Sequence, residues 1–172
     1  MNTNMTRFLY QSIIGLPVNA IDLYQWLTHI TETDYQGFSP AHRAIGMCQK
    51  EDGEGMINVE SIGGNLLVQH YTIVQKERQV LKLISPRTDA YLFHLLKVHV
   101  WVEWTMSIGY QDATSCEFTC EIGVSYPSAL LAIAAQLVAG NYFIRRHLQE
   151  EAPQFAQDIE QKFRSVPPPP AP

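Results

Sequence analysis

The chain has 172 residues, of which 46% are apolar and 17% charged, and its formal net charge at pH 7 is −5. This length and apolar content favour one domain with a single hydrophobic core. The 12 Lys and Arg residues are scattered and form no basic run, which argues against nucleic acid or an anionic membrane as the partner. The first residues lack the basic and apolar segments of a signal peptide, so we expect a cytoplasmic protein.

The longest apolar stretch, residues 129–140, is too short to cross a membrane. It contains 12 residues and is interrupted by Gln136, whereas a membrane-spanning helix needs about 20 apolar residues. We therefore expect it to be a core helix.

The three cysteines do not form a metal-binding or redox motif. Cys116 and Cys120 lie four positions apart in an alternating segment. This spacing puts both on one face of a strand without making a CxxC pair. We expect buried, reduced thiols.

The first quarter of the chain predicts a strand, a helix and a link. Residues 7–14 are rich in β-forming side chains and stop at a Gly-Leu-Pro sequence, which predicts a strand. Apolar residues recur at helical spacing through residues 18–30 and stop before the polar segment 31–34, which predicts a helix. Residues 35–40 contain Gly and Pro and predict a turn-rich link.

Six further strands are predicted, over residues 43–49, 56–62, 66–74, 79–84, 98–109 and 116–126. Each segment is bounded by Gly, Asp, Pro or charged residues. Most connections are short, which favours antiparallel hairpins, because parallel pairing needs a crossover of about a dozen residues or more. Residues 87–97 are compatible with a short helix or with a loop over the mouth of a pocket.

A long last helix is predicted from about Ser128, as N-cap, to Phe163, with a kink at Pro153. The Pro-rich residues 165–172 are expected to be disordered, so the predicted domain covers residues 1–164. The order of strand, helix, six strands and long helix is that of the α+β helix-grip class. In that class a curved antiparallel sheet of about seven strands wraps around the C-terminal helix and leaves a cavity.

Two polar residues, His147 and Glu151, fall on the apolar stripe of this last helix. A buried carboxylate costs several kcal/mol unless it meets a cation, a metal or hydrogen-bond donors. A His and a Glu four residues apart can hold one metal ion together, or can form a hydrogen-bonded pair. The rest of the stripe consists of Ile133, Leu137, Gly140, Ile144, Phe155 and Ile159.

Two other residues can complete a metal site. Glu60 lies in an otherwise uncharged strand, just before a Gly-Gly turn, and His42 stands at the entrance to the preceding strand. Taken singly, they are compatible with a surface glutamate and a loop histidine. If both point inward, two imidazoles and two carboxylates are assembled, and the two negative charges balance a divalent zinc ion.

Three segments, in this order, resemble the diacetylphloroglucinol and phloretin hydrolase family: YQGFSPAH at residues 35–42, ESIGG at 60–64 and HLQEE at 147–151. The resemblance implies a helix-grip fold with one zinc ion per chain. It also implies cleavage of a carbon–carbon bond between an acyl group and a hydroxylated aromatic ring. By position, the zinc ligands would be His42, Glu60, His147 and Glu151. Ala152-Pro153 stands where the family has an aromatic residue, which weakens the assignment of the substrate more than that of the metal.

Cleavage of this kind also needs a proton donor for the ring carbon. The candidates are His94 and His99, although His99 can instead alternate outward with Trp101. Among the aromatic residues, Tyr35 is the first candidate for substrate contact because it lies in the segment of His42. Further candidates are Glu103 as a base, His70 as a reserve metal ligand, and Tyr71, Trp101 and Trp104 as cavity walls.

Three functions are compatible with the sequence. The first is a zinc-dependent hydrolase acting on an acylated phenol or a β-dicarbonyl compound. The second is a non-catalytic carrier of a hydrophobic or aromatic ligand, and the third is a metal-independent protein of the polyketide cyclase type. The partner in each case is a small aromatic or hydrophobic molecule. Other divalent ions also suit two His and two carboxylates, and a homodimer is compatible with the sequence.

Overall fold

A computed structural model describes residues 5–51, 53–128, 132 and 140–164. Seven strands form one sheet in the order β1-β7-β6-β5-β4-β3-β2. Every neighbouring pair is antiparallel, as predicted from the short connections. The strands are β1 (Thr6–Ile14), β2 (His42–Lys50), β3 (Gly53–Ile62), β4 (Asn65–Lys76), β5 (Val80–Leu92), β6 (Leu96–Tyr110) and β7 (Cys116–Ser125).

The alternation of side chains along each strand gives the sheet a buried inner face. On β6, Val100, Val102 and Trp104 point inward and are buried, while the residues between them belong to the outer face. The last helix, α3 (Gly140–Arg164), packs on this inner face. The helix-grip prediction is confirmed.

The helical region between β1 and β2 differs from the prediction. Residues 18–30 were expected to form one helix, but the structure has a short 3₁₀ turn (Val18–Ala20) followed by α1 (Leu23–Thr28). The expected turn-rich link is wrong, because residues 32–38 form α2 (Glu32–Phe38). Thr31 caps this helix: its side chain accepts a hydrogen bond from Asp34 N, and Asp34 accepts one from Thr31 N.

Strand β5 is much longer than its predicted range of 79–84. It continues past Pro86 through a bulge between Ser85 and Thr88, which accommodates a residue that cannot donate a ladder hydrogen bond. Residues 87–97 are therefore neither a helix nor a loop; they finish β5, turn and begin β6. In the turn, Phe93 and His94 have positive φ angles of 49° and 60°.

Helix α3 carries one buried face along its described length. Leu148, Phe155 and Ile159 belong to the hydrophobic core. The ring of Phe155 contacts Trp26 of α1 and Phe38 of α2, with centroids 5.4 and 5.2 Å apart. The predicted positions Ile133 and Leu137 and the tail 165–172 lie outside the described residues, and the kink at Pro153 stays a prediction.

Two smaller predictions concern the core and the membrane. Cys116 and Cys120 are buried, and neither they nor Cys48 form a disulfide. None of the helices in the described part of the chain combines the length and the apolar character that a membrane span requires.

Candidate metal centre

Four side chains from three different parts of the fold meet beneath α3: His42, Glu60, His147 and Glu151, here called the His/Glu cluster. Each is 7% exposed or less. One potential ligand atom from each residue lies within 4.8 Å of those of the other three. The structure therefore brings together all four residues that the sequence suggested as metal ligands.

The sheet register brings His42 and Glu60 together. His42 opens β2 and is the direct cross-strand partner of Glu60 on β3, so their side chains share one face. His147 and Glu151 lie four residues apart on the buried face of α3. The helix thus closes over the sheet with one imidazole and one carboxylate from each side.

The backbone of Tyr35 fixes the tautomer of His42. Nδ1 of His42 lies 2.6 Å from the carbonyl oxygen of Tyr35, and because a carbonyl only accepts, Nδ1 must donate. Nε2 faces the cluster, 3.0 Å from Glu151 Oε2. A hydrogen bond between these two atoms needs a second proton on the ring, whereas the neutral ring offers its Nε2 lone pair to a metal ion.

Three donors hold the carboxylate of Glu60. The Tyr35 hydroxyl and Asn58 Nδ2 donate to Oε1 over 2.6 and 2.9 Å, and Gln69 Nε2 donates to Oε2 over 3.2 Å. Burial, then the charges of Glu60 and Glu151, raise the pKa of Tyr35 well above its ordinary value. Tyr35 therefore stays protonated and keeps donating to Glu60.

His147 has an unpartnered nitrogen at the centre of the cluster. Its Nδ1 lies 3.3 Å from the hydroxyl of Ser39. Its Nε2 is buried without a hydrogen-bond partner, although Glu151 Oε2 and Glu60 Oε2 lie 3.4 and 3.8 Å away. A buried polar atom left unpaired in this way calls for an explanation, and an ion is one of the usual ones.

The charges of the cluster shift the pKa values of its members. Burial alone lowers the pKa of His147, but the carboxylates of Glu151 and Glu60 outweigh this effect and raise it to about 9. Burial alone raises the pKa of Glu151, but His147 and His42 outweigh it and hold that pKa well below the ordinary range. The cluster is therefore charged in the absence of metal, with an imidazolium beside a carboxylate.

The spacing of the cluster approaches that of a tetrahedral divalent ion, with all ligand atoms within 4.8 Å of one another. Ligands about 2.0–2.1 Å from zinc stand about 3.3–3.4 Å from one another in a tetrahedron. The four nitrogen-to-oxygen distances within the cluster are 3.0, 3.4, 3.8 and 4.0 Å. Two imidazole and two carboxylate donors also match the preferences of zinc. The residues present fit the ion that the resemblance implies.

A cavity of about 170 Å³ lies between the sheet and α3, and Glu60, His147 and Glu151 line one part of it. Asn65, Phe93 and Phe143 also line it; Asn65 is the first residue of β4 and Phe93 lies in the turn after β5. An apolar cavity of about 150 Å³ holds one benzene molecule, so this volume suits a single ring with a small substituent. The remaining wall is mostly apolar and includes Leu67, Ala90, Val100, Val102, Trp104 and Ile122.

The two histidines expected to supply a proton lie elsewhere. His94 is exposed in the turn between β5 and β6. His99 lies on the outer face of β6, with Nδ1 2.8 Å from Asp89 Oδ1 and Nε2 3.1 Å from Arg87. Neither of these two candidates lines the cavity in this geometry.

Other expected site residues divide between the two faces of the sheet. Tyr71 and Trp104 line the cavity, as predicted. Glu103 lies on the outer face, where it forms ion pairs with Arg7 and Lys82 and accepts a hydrogen bond from Trp101, which lies beside it. His70 lies on the outer face of β4, 4.0 Å from Asp89. Strand alternation therefore places both Glu103 and His70 away from the cavity and the cluster.

Sequence reasoning missed three residues of the site: Ser39, Asn58 and Gln69. Asn58 lies two positions before Glu60 on β3, and Gln69 is its direct cross-strand partner on β4. Two residues on one strand separated by one position share a face. The two-residue spacing of Asn58 and Glu60 therefore indicated, from the sequence alone, that Asn58 faces the same side of β3 as Glu60.

No protein-family model matches the chain, and no curated protein matches it by sequence. Solved structures do match it in fold. A START superfamily protein from Mycobacterium smegmatis aligns with a TM-score of 0.52 and 14% identity, over 91% of this chain and 98% of that one. The Zhui aromatase/cyclase from Streptomyces sp. R1128 aligns with a TM-score of 0.57 and 9% identity, over 94% of both chains.

A third similar structure is the ginseng major latex-like protein 151 from Panax ginseng, with a TM-score of 0.56 and 14% identity, over 90% of this chain and 97% of that one. At such low identity these likenesses concern the fold alone. The chain therefore has the START/Bet v 1-like helix-grip fold, with a buried His/Glu cluster that can hold a metal ion beside its cavity.

Proposed function

We propose that the chain is a zinc-dependent hydrolase that cleaves the bond between an acyl group and the ring of a small acylated phenol. The observation that carries the proposal is the buried set of two imidazoles and two carboxylates at an apolar cavity, in which Nε2 of His147 forms no hydrogen bond. Binding of an apolar ligand does not by itself require such a set.

The charge of the cluster supports a bound cation. Two carboxylates buried side by side are costly unless positive charge offsets them. In the metal-free chain this role falls to His147, whose pKa the two carboxylates raise. A divalent ion would balance both carboxylates and would leave both imidazoles neutral, which is the form that ligates metal.

When bound, zinc supplies polarisation of a carbonyl group and lowers the pKa of a water molecule. Residues of the chain would bind the substrate, exclude water and supply a proton. The apolar walls, including Val100 and Trp104, would exclude bulk water and hold the ring. Tyr35 is the one predicted catalytic residue at the cluster, and its protonated Oη lies 2.6 Å from Glu60 Oε1. It is the candidate donor of that proton to the ring carbon, and the proton released by the water that adds to the acyl carbon would restore it.

The proposal is tested by incubating the zinc-loaded protein with 2,4,6-trihydroxyacetophenone and following acetate and 1,3,5-trihydroxybenzene by chromatography. We expect turnover that stops after chelation and returns with zinc. Equal rates before and after removal of the metal would overturn the zinc-dependent mechanism. A screen of single-ring acylphenols without any product would overturn the proposed substrate class.

The second candidate is metal-independent binding or cyclisation of an aromatic ligand. It is favoured by the similarity in fold to an aromatase/cyclase and by the mostly apolar cavity wall. This function would depend on polar cavity residues such as Tyr71 and Asn58. It predicts that ligand binding and any turnover are unchanged by chelation and by Glu151→Gln.

A further inference from the structure

The amide of Asn58 has a fixed orientation. Its Nδ2 donates to Glu60 Oε1 and to the hydroxyl oxygen of Tyr35, both over 2.9 Å. A carboxylate oxygen accepts only, so nitrogen and not oxygen must face Glu60. The hydroxyl of Tyr35 already gives its proton to Glu60 and can only accept from Asn58. The network therefore determines which end of the amide is Oδ1.

The other end of this amide has no partner. Asn58 is 2% exposed and lines the cavity, and its Oδ1 is buried without a hydrogen bond. An unpaired buried acceptor costs about 1–3 kcal/mol. The donors of Asn58 are directed at Glu60 and Tyr35, so Oδ1 is the end of the amide that remains for an occupant of the cavity that donates a hydrogen bond.

We propose that Asn58 Oδ1 is the acceptor for a hydroxyl group on the ring of the bound ligand. This inference rests on the proposed function only in taking the ligand to be a single ring, as the cavity of about 170 Å³ requires. The ring hydroxyl donates to Asn58 while the rest of the ring packs on the apolar wall. A methoxy group at the same position has no proton to donate and leaves Oδ1 unpaired, so the site selects free hydroxyls over ethers.

The experiment compares phenol, anisole and toluene as probes that carry no acyl group. Binding is followed by NMR through the indole N–H of Trp104, which lines the cavity, at pH 7 in the metal-free and in the zinc-loaded protein. We expect phenol to bind about tenfold more tightly than anisole or toluene. In Asn58→Leu we expect the three probes to bind with similar affinity.

Gln69→Leu is the matched control. Gln69 and Asn58 are cross-strand partners, both are buried, and both donate to Glu60. Each Leu variant removes support from Glu60, but only Asn58→Leu removes Oδ1 of Asn58. We expect Gln69→Leu to keep the preference for phenol. Loss of the preference in both variants would assign it to the position of Glu60 and overturn the proposal.

Two further results would overturn the proposal without the use of any variant. One is equal affinity of the parent protein for phenol and anisole, which would leave a water molecule as the partner of Oδ1. The other is no binding of any of the three probes. A preference for phenol in a protein that takes up no zinc would support the hydroxyl site while contradicting the hydrolase proposal, so the two failures are distinguishable.

Discussion

The phenol ring of Tyr35 lies face to face with the imidazole of His42, with ring centroids 3.9 Å apart and planes 5° apart. The hydroxyl of the same residue donates to Glu60 over 2.6 Å. One side chain of α2 therefore orients a candidate metal ligand on β2 and another on β3. Mutation of residues that orient ligands in this way typically lowers metal affinity by about 10- to 100-fold.

Tyr35→Phe should weaken zinc binding by about tenfold, within the range of 10- to 100-fold typical of such changes. The variant keeps the ring that packs on His42 and loses only the hydrogen bond to Glu60. Competition with a chromophoric chelator measures the affinity. Tyr35→Ala also removes the stacked ring and should lose more of the zinc affinity than Tyr35→Phe does. Equal zinc affinities of Tyr35→Phe and the parent would show that the hydroxyl does not support the site.

The affinity for zinc should rise with pH. The carboxylates of Glu151 and Glu60 outweigh the effect of burial and raise the pKa of His147 to about 9, so the metal-free protein holds a proton there at pH 7. Zinc must displace this proton, and its affinity should therefore increase by about tenfold per pH unit until His147 is deprotonated. Calorimetry at pH 7 in buffers of different ionisation enthalpy should show about one proton released. No proton release together with a flat pH profile would contradict the assignment of His147 as a ligand.

Most of the fold was predictable because strand alternation is a local signal. It defined the strands of the sheet and gave the antiparallel pairing through short connections. The end of β5 was not predictable, because Pro86 resembles a strand terminator unless the bulge between Ser85 and Thr88 is known. Helix α2 was missed although Thr31 and Asp34 form a capping box, a pattern that the sequence displays.

The candidate site was predictable where the spacing of residues fixes a face. Helical spacing placed His147 and Glu151 together, and the structure sets both on the buried face of α3. Among the partners of Glu60, Asn58 shares its strand face by spacing, but Gln69 was not predictable, since cross-strand register decides that it stands opposite Asn58. His99 was a candidate for the cavity, with an outward position beside Trp101 as the alternative, and the structure places it on the outer face.

A glycine pair in the turn between β3 and β4 should respond unequally to substitution. Gly63 and Gly64 both have positive φ angles, 57° and 80°, so alanine costs about 1–2 kcal/mol at either position. A Cβ on Gly63 would also lie 2.5 Å from Phe143 of α3, whereas one on Gly64 meets nothing within 4 Å. Gly63→Ala should therefore lower the free energy of unfolding by about 1–3 kcal/mol more than Gly64→Ala. Urea denaturation measures the difference, and equal losses would show that the contact with Phe143 does not constrain the turn.

The three thiols should differ in reactivity. Burial raises the pKa of Cys116 to about 11 and that of Cys120 further, while Cys48 is half-buried. Only thiolates react rapidly with iodoacetamide. We expect mass spectrometry to find a single labelled cysteine, Cys48, in the native protein at pH 8 and three after unfolding in guanidinium. Rapid labelling of Cys120 in the native protein would contradict its place in the core.

The cluster itself is tested most directly by the metal content of the purified protein after incubation with zinc and gel filtration. We compare the parent with His147→Ala, Glu151→Ala and the control Glu150→Ala. Glu150 is half-exposed and pairs with Arg146 over 2.8 Å, about 100° around the helix from Glu151. The proposal predicts about one zinc per chain in the parent and in Glu150→Ala, and far less in the two cluster variants. A folded parent that retains no zinc, or equal losses from Glu150→Ala and Glu151→Ala, would contradict it.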